Sequence, residues 1–149
     1  MKYIESSANQ NSKVCFLCKA VASTDYRENL TLEKNPDTVV VLNLYPYNPG
    51  HILVAPTKHV GNFSSMSREE LCSLFETMNK WIRRLELKMT PDGFNVGANL
   101  GSVAGAGVPD HVHIHIVPRW KGDTNFMPTI ASVKIIPELL ESTYEKLVC

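Results

Sequence analysis

The stretch Asp110-His-Val-His-Ile-His-Ile-Val-Pro-Arg-Trp120 decides how the chain is read. Successive side chains of a β-strand point to opposite faces. A strand over 112–117 therefore sets His111, His113 and His115 on one face and Val112, Ile114 and Ile116 on the other. The apolar set calls for a cover, which leaves three imidazoles in a row on the opposite face. Imidazole changes charge near neutral pH and serves as base, acid, nucleophile or metal ligand. Aligned histidines suit a zinc or iron site. They equally suit phosphoryl chemistry, with one histidine as nucleophile and its neighbours as donors. A half-exposed strand with incidental histidines is the plain alternative.

Upstream of the strand, 100–110 is unusually bare, with Gly97, Gly101, Gly105 and Gly107 in and beside it. Glycine lets a backbone approach a ligand closely and present N–H groups to an oxyanion. The segment lacks the strand–GxxxxGK[ST]–helix pattern of a P-loop. Asn99 stands at its entrance, and Arg119 and Trp120 follow the strand. This neighbourhood favours phosphate as the ligand.

The cover for the apolar face comes earlier in the chain. Ser67-Arg-Glu-Glu70 fits a capping box that opens a helix. Leu71, Leu74, Phe75, Met78, Ile82, Leu85 and Met89 then recur at helical spacing. Trp81 belongs to this helix as a packing residue, and Thr90-Pro-Asp-Gly93 stops it. Thr38-Val-Val-Val-Leu-Asn-Leu44 and His51-Ile-Leu-Val-Ala-Pro56 flank the turn formers 45–50 and read as adjacent strands. A further strand is expected over 94–99, and a closing helix over 137–148. Residues 1–13 are polar and read as a loose arm. With no repeat, linker or low-complexity tract, the class is α+β: a mainly antiparallel sheet, one long helix and a short C-terminal helix. One domain is expected over 1–149.

Composition narrows the function. Lys plus Arg (15) equals Asp plus Glu (15), and hydrophobic residues make up 44% of the chain. A neutral chain is a poor nucleic-acid coat, which needs a basic excess, so no nucleic-acid partner is expected. No stretch approaches the ~18–20 apolar residues of a membrane helix, and the polar opening residues read as no secretory leader. No membrane partner and a cytoplasmic location are therefore expected. Lys80, Arg83, Arg84 and Lys88 form a basic helix face of the kind that is ordinarily just solvated. All five histidines fall within two short segments. Two of the four cysteines form Cys15-Phe-Leu-Cys18, the spacing of a zinc half-site or of a redox pair. Cys72, beside Leu71 and Leu74, reads as a near-core thiol, and Cys149 has no ligand-like neighbour.

These residues carry a resemblance. His111-Val-His-Ile-His-Ile-Val117 resembles the signature of the histidine triad superfamily, His-φ-His-φ-His-φ-φ with φ apolar. Pro49-Gly-His-Ile-Leu-Val-Ala-Pro56 followed by His59 is similar to that superfamily's upstream strand. Phe94-Asn-Val-Gly-Ala-Asn-Leu-Gly101, Ala104-Gly-Ala-Gly107 and Pro118-Arg-Trp-Lys-Gly-Asp-Thr-Asn-Phe-Met-Pro128 look most like its bacterial diadenosine tetraphosphate phosphorylase-like branch.

The resemblance implies an enzyme that cleaves dinucleoside polyphosphates through a nucleotidyl-histidine intermediate on His113. His115 is implied to bind phosphate oxygens and help the leaving phosphate depart. Asn99, with the amides of Gly105 and Gly107, is implied to hold the transferred phosphoryl group. Asn43 falls where the family keeps a ribose-binding Asn. His51 is expected either to contact the nucleotide or to buttress the site. Trp120 is expected to stack on a base or seal a dimer, and Phe16, Val41 and Leu53 either line an adenine pocket or are core. Asp123 and Asn125 are expected to set the turn after the strand. Zinc-binding members use a set that corresponds here to Cys15, Cys18, His59 and His111, so a structural zinc ion is implied, with no metal required for catalysis. A homodimer or higher homo-oligomer is implied as well. One departure matters: Gly107 stands where the common branches carry a Gln that contacts the bridging oxygen or attacking water. Its absence leaves room for inorganic phosphate as the second acceptor. A nucleoside phosphoramidase, a nucleotide-binding regulatory module and a metalloenzyme centred on the triad are the competing readings.

Overall fold

A computed structural model describes residues 14–123 and 138–148. The elements in chain order are α1 (Phe16–Ala22), β1 (Thr31–Lys34), β2 (Thr38–Leu42), β3 (Ile52–Pro56), α2 (Arg68–Met89), β4 (Gly93–Gly97), β5 (Ile114–Arg119) and α3 (Leu140–Val148). The strands form one antiparallel sheet in the order β1-β2-β3-β5-β4. The α+β class with a long helix and a short C-terminal helix is therefore what the chain adopts.

Two of the three interior strands, β2 and β3, explain the sheet's layering. Every residue of β2 and β3 is buried, because helices cover both faces and no position is left for the polar half of an alternating pattern. On one face Val40, Leu42, Ile52 and Val54 join Val112, Ile114 and Ile116 in a core with Leu74, Trp81 and Leu85 of α2 and with Tyr144 and Leu147 of α3. On the other, Val39, Val41, Leu53 and Ala55 pack with Leu17 and Ala20 of α1. α1 was not expected from the sequence. It is a single seven-residue segment and covers only part of its face.

α2 begins as expected. The Ser67 hydroxyl accepts from the Glu70 N–H while the Glu70 carboxylate accepts from the Ser67 N–H. It ends at Thr90, which takes a left-handed conformation at φ 47° ahead of Pro91. Two readings of this helix are corrected. Phe75 is 49% exposed, and Thr77 is the buried residue of that turn because its hydroxyl bonds Thr38 Oγ1 of β2 at 3.0 Å. Cys72 is exposed rather than near-core.

The basic face of α2 is partly tied down. Lys80 pairs with Glu33, and Arg84 donates to Leu147 O and lies over the Trp81 ring. The strand expected over 112–117 starts later, at Ile114. His111, Val112 and His113 precede it in irregular backbone, where Val112 N–H donates to Val60 O instead of a sheet neighbour. Alternation survives nonetheless, since Val112, Ile114 and Ile116 all enter the α2 core. The expectations for 1–13, Asn125 and Cys149 lie outside the described residues, as do parts of 118–128 and 137–148. No described helix is long and apolar enough to cross a membrane.

Candidate active site and metal centre

The triad histidines leave the sheet on the α1 face and divide between two sites. His115 is paired across the sheet with Leu53 on one side and Gly97 on the other, so it shares the face of Leu53. Gly97 contributes no side chain there, and a Cβ built on it meets nothing within 4 Å. The open space beyond α1 is a cleft of about 500 Å³ lined by His113, His115, Asn99, Gly105, Gly107 and Val108 on one side. Phe16, Asn43, Tyr45, Tyr47 and Leu53 line the other. A second recess of about 290 Å³ adjoins it through Phe16, Asn43 and Tyr45 and reaches Val41, Lys19 and Glu28.

Hydrogen bonds fix the protonation of each imidazole. His113 Nδ1 lies 2.8 Å from His111 O, and a carbonyl only accepts, so Nδ1 carries the proton and Nε2 the lone pair. The order around His51 follows from fixed donors. Asn43 Oδ1 accepts from Tyr45 N–H, which turns its Nδ2 toward His51 Nδ1 at 3.2 Å. Tyr47 N–H donates to the same Nδ1 at 3.1 Å. His51 Nδ1 is therefore bare and Nε2 protonated, and Nε2–H donates to His115 Nδ1 at 3.0 Å. His115 is left with its proton on Nε2, and that nitrogen is buried without a partner among the described residues. An unpaired buried donor costs about 1–3 kcal/mol, a cost that an acceptor oxygen arriving in the cleft removes.

Burial keeps these rings neutral. It lowers the His113 pKa against the raising effect of the His111 carbonyl. Burial, with the charge of His113 second, brings His115 down to about 4. The cleft thus presents a neutral imidazole lone pair beside a neutral imidazole N–H. Such a pair can offer a nucleophile to an electrophilic centre and a proton to an oxygen beside it. The Gly-rich loop stands over them: Asn99 Nδ2 donates to Gly105 O at 3.3 Å, and Gly105 sits at φ +84°, a conformation glycine adopts without strain.

His111 belongs to the second site. Its Nε2–H donates to Pro56 O at 2.9 Å, which leaves Nδ1 bare. Around that one lone pair converge Cys15 Sγ at 3.3 Å, Cys18 Sγ at 3.5 Å and His59 Nδ1 at 3.2 Å. The ligand atoms of Cys15, Cys18, His59 and His111 all lie within 4.8 Å of one another. Two nitrogens bound to one tetrahedral zinc ion stand ~3.3 Å apart, and a nitrogen and a sulfur ~3.5 Å. The spacings fit a cation at the centre, and the Pro56 carbonyl supplies the orienting outer contact such histidines have. Burial, with Cys15 next, raises the Cys18 pKa, a preference for the thiol that a bound cation reverses. The four residues can hold a metal ion, and among the described residues no other such group forms.

The remaining expected residues divide as follows. Asn43 and Phe16 line the cleft, whereas Val41 reaches only the adjoining recess. His51 is fully buried behind His115 and does not line the cleft, so its contacts are those of a buttress. Trp120 is half-buried and outside the lining. Arg119, which follows the strand, holds Asp123 through Nε and Nη2 at 2.6 and 2.7 Å. Asp123 does set the turn, accepting from Trp120 N–H at 3.1 Å. Tyr45 and Tyr47 were missed. Both lie among the turn formers 45–50, and aromatic residues in an exposed turn were the available signal.

Sequence and fold are similar to those of other proteins. The HIT domain model matches residues 27–122, so the chain belongs to the HIT family. It is 43% identical over 116 residues to an AP-4-A phosphorylase of Mycobacterium tuberculosis, covering 78% of this chain and 60% of that protein. It is also 39% identical over 82 residues to an asymmetrical bis(5'-nucleosyl)-tetraphosphatase of Schizosaccharomyces pombe, covering 55% and 44%. A hypothetical histidine triad nucleotide-binding protein of Sulfolobus tokodaii superposes with a TM-score of 0.70 at 27% identity, over 90% of this chain and 87% of that one. The chain spans about 60% of the length of the mycobacterial relative.

Proposed function

We propose that this protein cleaves dinucleoside polyphosphates of the diadenosine tetraphosphate type by transferring a nucleotidyl group through His113. The observation that carries this reading is the pair of opposed tautomers in one cleft, a bare His113 Nε2 beside an unpartnered His115 Nε2–H. His113 Nε2 forms a bond to the α-phosphorus while the bond to the bridging oxygen breaks. The His115 Nε2 proton goes to that departing oxygen, and His115 Nδ1 is placed to recover one from His51. Asn99 and the amides of Gly105 and Gly107 hold the phosphoryl oxygens as charge redistributes. Asn43 takes the ribose, and the recess beside Phe16 takes the base.

The second step passes the nucleotidyl group from His113 to an acceptor, with the N–P bond breaking as the new O–P bond forms. Gly107 supplies no side chain to orient a water, which favours inorganic phosphate. Likeness to the mycobacterial AP-4-A phosphorylase supports the same choice. Hydrolysis is the second reading, supported by the likeness to the fission-yeast tetraphosphatase. The Cys15/Cys18/His59/His111 set is read as a structural zinc site that ties the start of α1 to the segment leading into His113. Its free thiols suit a cytoplasmic, reducing location. β4 is an edge strand with an exposed outer half, and we read it as the place where a second copy adds to the sheet.

The test is to incubate the protein with diadenosine tetraphosphate, with and without phosphate, and identify the products. ADP plus ATP formed only with phosphate supports phosphorolysis; AMP plus ATP establishes hydrolysis. Turnover of a nucleoside phosphoramidate but not of the tetraphosphate points to the phosphoramidase. Binding without turnover, unchanged in His113→Ala, makes the protein a regulatory module.

A further inference from the structure

The donor on His115 depends on the β2–β3 loop, whose Tyr45 and Tyr47 line the cleft and whose anchor lies outside it. His115 Nε2 is protonated only because His51 Nδ1 is bare, and one of the two groups enforcing that is the backbone N–H of Tyr47. Tyr47 is largely exposed on the β2–β3 connection, a position where backbone is ordinarily free to move. This connection is held from its far side. Asn48 Nδ2 donates to Pro118 O at 2.9 Å and to Asp123 Oδ2 at 2.8 Å, reaching across the end of β5.

Asp123 is itself fixed by Arg119 through both carboxylate oxygens, and Arg119 Nη1 donates to Asn95 Oδ1 of β4 at 2.7 Å. Gly50, at φ +76°, lets the loop sit against the same place: a Cβ there would fall 2.5 Å from Met89 Sδ and 3.2 Å from Pro118 Cγ. Neither Asn48 nor Asp123 lines the cleft.

We propose that Asn48 and Asp123 form a latch that positions the Tyr47 N–H and so sets the tautomers of His51 and His115. They are positioning residues, and their catalytic consequence, though not the tautomer effect, rests on the function proposed above. If Tyr47 moves away, His51 can carry its proton on Nδ1. Its Nε2 then accepts from His115 Nδ1–H, and His115 Nε2 becomes a lone pair aimed at phosphate oxygens. The donor is replaced by a repulsive acceptor with no residue of the cleft altered. Asn43 Nδ2 lies 3.2 Å from His51 Nδ1 and 3.4 Å from Nε2, so alone it discriminates weakly between the tautomers and loss of the latch gives a mixture.

The measurement is the long-range ¹H–¹⁵N spectrum of the imidazoles in ¹⁵N-histidine-labelled protein without nucleotide. The wild-type protein is expected to show His115 and His51 protonated on Nε2 and His113 on Nδ1. Asn48→Ala is expected to show both tautomers at His51 and His115, with His113 unchanged as the internal sign of a native cleft. Asp123→Asn tests the same latch should the first variant not fold. With diadenosine tetraphosphate, kcat is expected to fall about tenfold at unchanged KM, the scale seen when an outer partner of a functional histidine is lost. A wild-type His115 protonated on Nδ1, or wild-type tautomers retained in both variants, overturns the proposal. A wild-type protein inert toward the tetraphosphate overturns the functional reading, and the spectra then still decide the latch.

Discussion

His111 and His113 are two residues apart on the same side of the chain, yet they serve different sites. Pro56 O takes the Nε2 proton of His111 and leaves Nδ1 toward the two cysteines. His111 O takes the Nδ1 proton of His113 and leaves Nε2 for the cleft. The side chains are identical, and the backbone carbonyl that each one meets decides between ligand and nucleophile. The two sites are also consecutive in structure, because the carbonyl that orients the nucleophile belongs to the metal-site residue. The metal centre can therefore influence catalysis without touching substrate.

The largest effect that separates the two sites is expected from His113→Ala. Turnover of diadenosine tetraphosphate should fall by about 10⁴-fold or more, as when other covalent nucleophiles are removed. Metal content should stay within error of the wild type, while Tm falls only by the few degrees that a buried large-to-small change costs. A variant that lost its metal as well would break the division. The converse change, Cys15→Ser with Cys18→Ser, should abolish stoichiometric zinc by elemental analysis. It should also lower stability by about 4 kcal/mol, or roughly 10 °C in Tm. Zinc retained at full occupancy in that variant would remove the metal site from the scheme.

His115→Ala should lower kcat by about 10²-fold, the scale of one general acid. Substrates whose leaving group needs no proton should be spared, which a leaving-group series would reveal. The pH dependence of stability sharpens the same point. The pKa of His115 is about 4 in the fold against an ordinary 6.5, so between those values the unfolded chain binds more protons than the folded one. Its contribution to stability is full above pH 6.5 and is lost as the pH falls toward 4. Urea titrations of His115→Asn should show a shallower decline over that window than the wild type. The smallest effect belongs far from both sites: Ser67→Ala removes one half of the α2 capping box and should cost about 1 kcal/mol with kcat unchanged.

Legibility in the sequence followed the range of the interactions. Alternation around His111–His115, the capping box at Ser67 and the β2–β3 pair are local patterns, and each appears in the structure. α1 was invisible because seven residues carry too little periodicity, and β1 because four residues with Glu33 and Lys34 do not look like a strand. Phe75 misled because helical spacing does not say how far a core extends around the helix. In the candidate site, residue types and spacing singled out the histidine strand, Asn99 and the two cysteines, and the family resemblance implied the roles of His113, His115 and the Cys/His set. Proton positions were out of reach, since they depend on Pro56 O, Tyr47 N–H and His111 O, backbone groups that no side-chain pattern encodes. For the same reason His51 could not be assigned until its ring was seen behind His115. The tie between Arg119 and Asp123, four residues on, was not legible because it depends on the turn that follows β5.

The central claim is that His113 takes the nucleotidyl group onto its own Nε2. Intact-protein mass spectrometry of enzyme rapidly mixed with diadenosine tetraphosphate in the absence of phosphate tests it most directly. The expected result is a transient gain of one adenylyl group, acid-labile, mapped by peptide sequencing to His113 and absent in His113→Ala. Turnover at full rate with no such adduct, or an adduct that persists in His113→Ala, would contradict the claim.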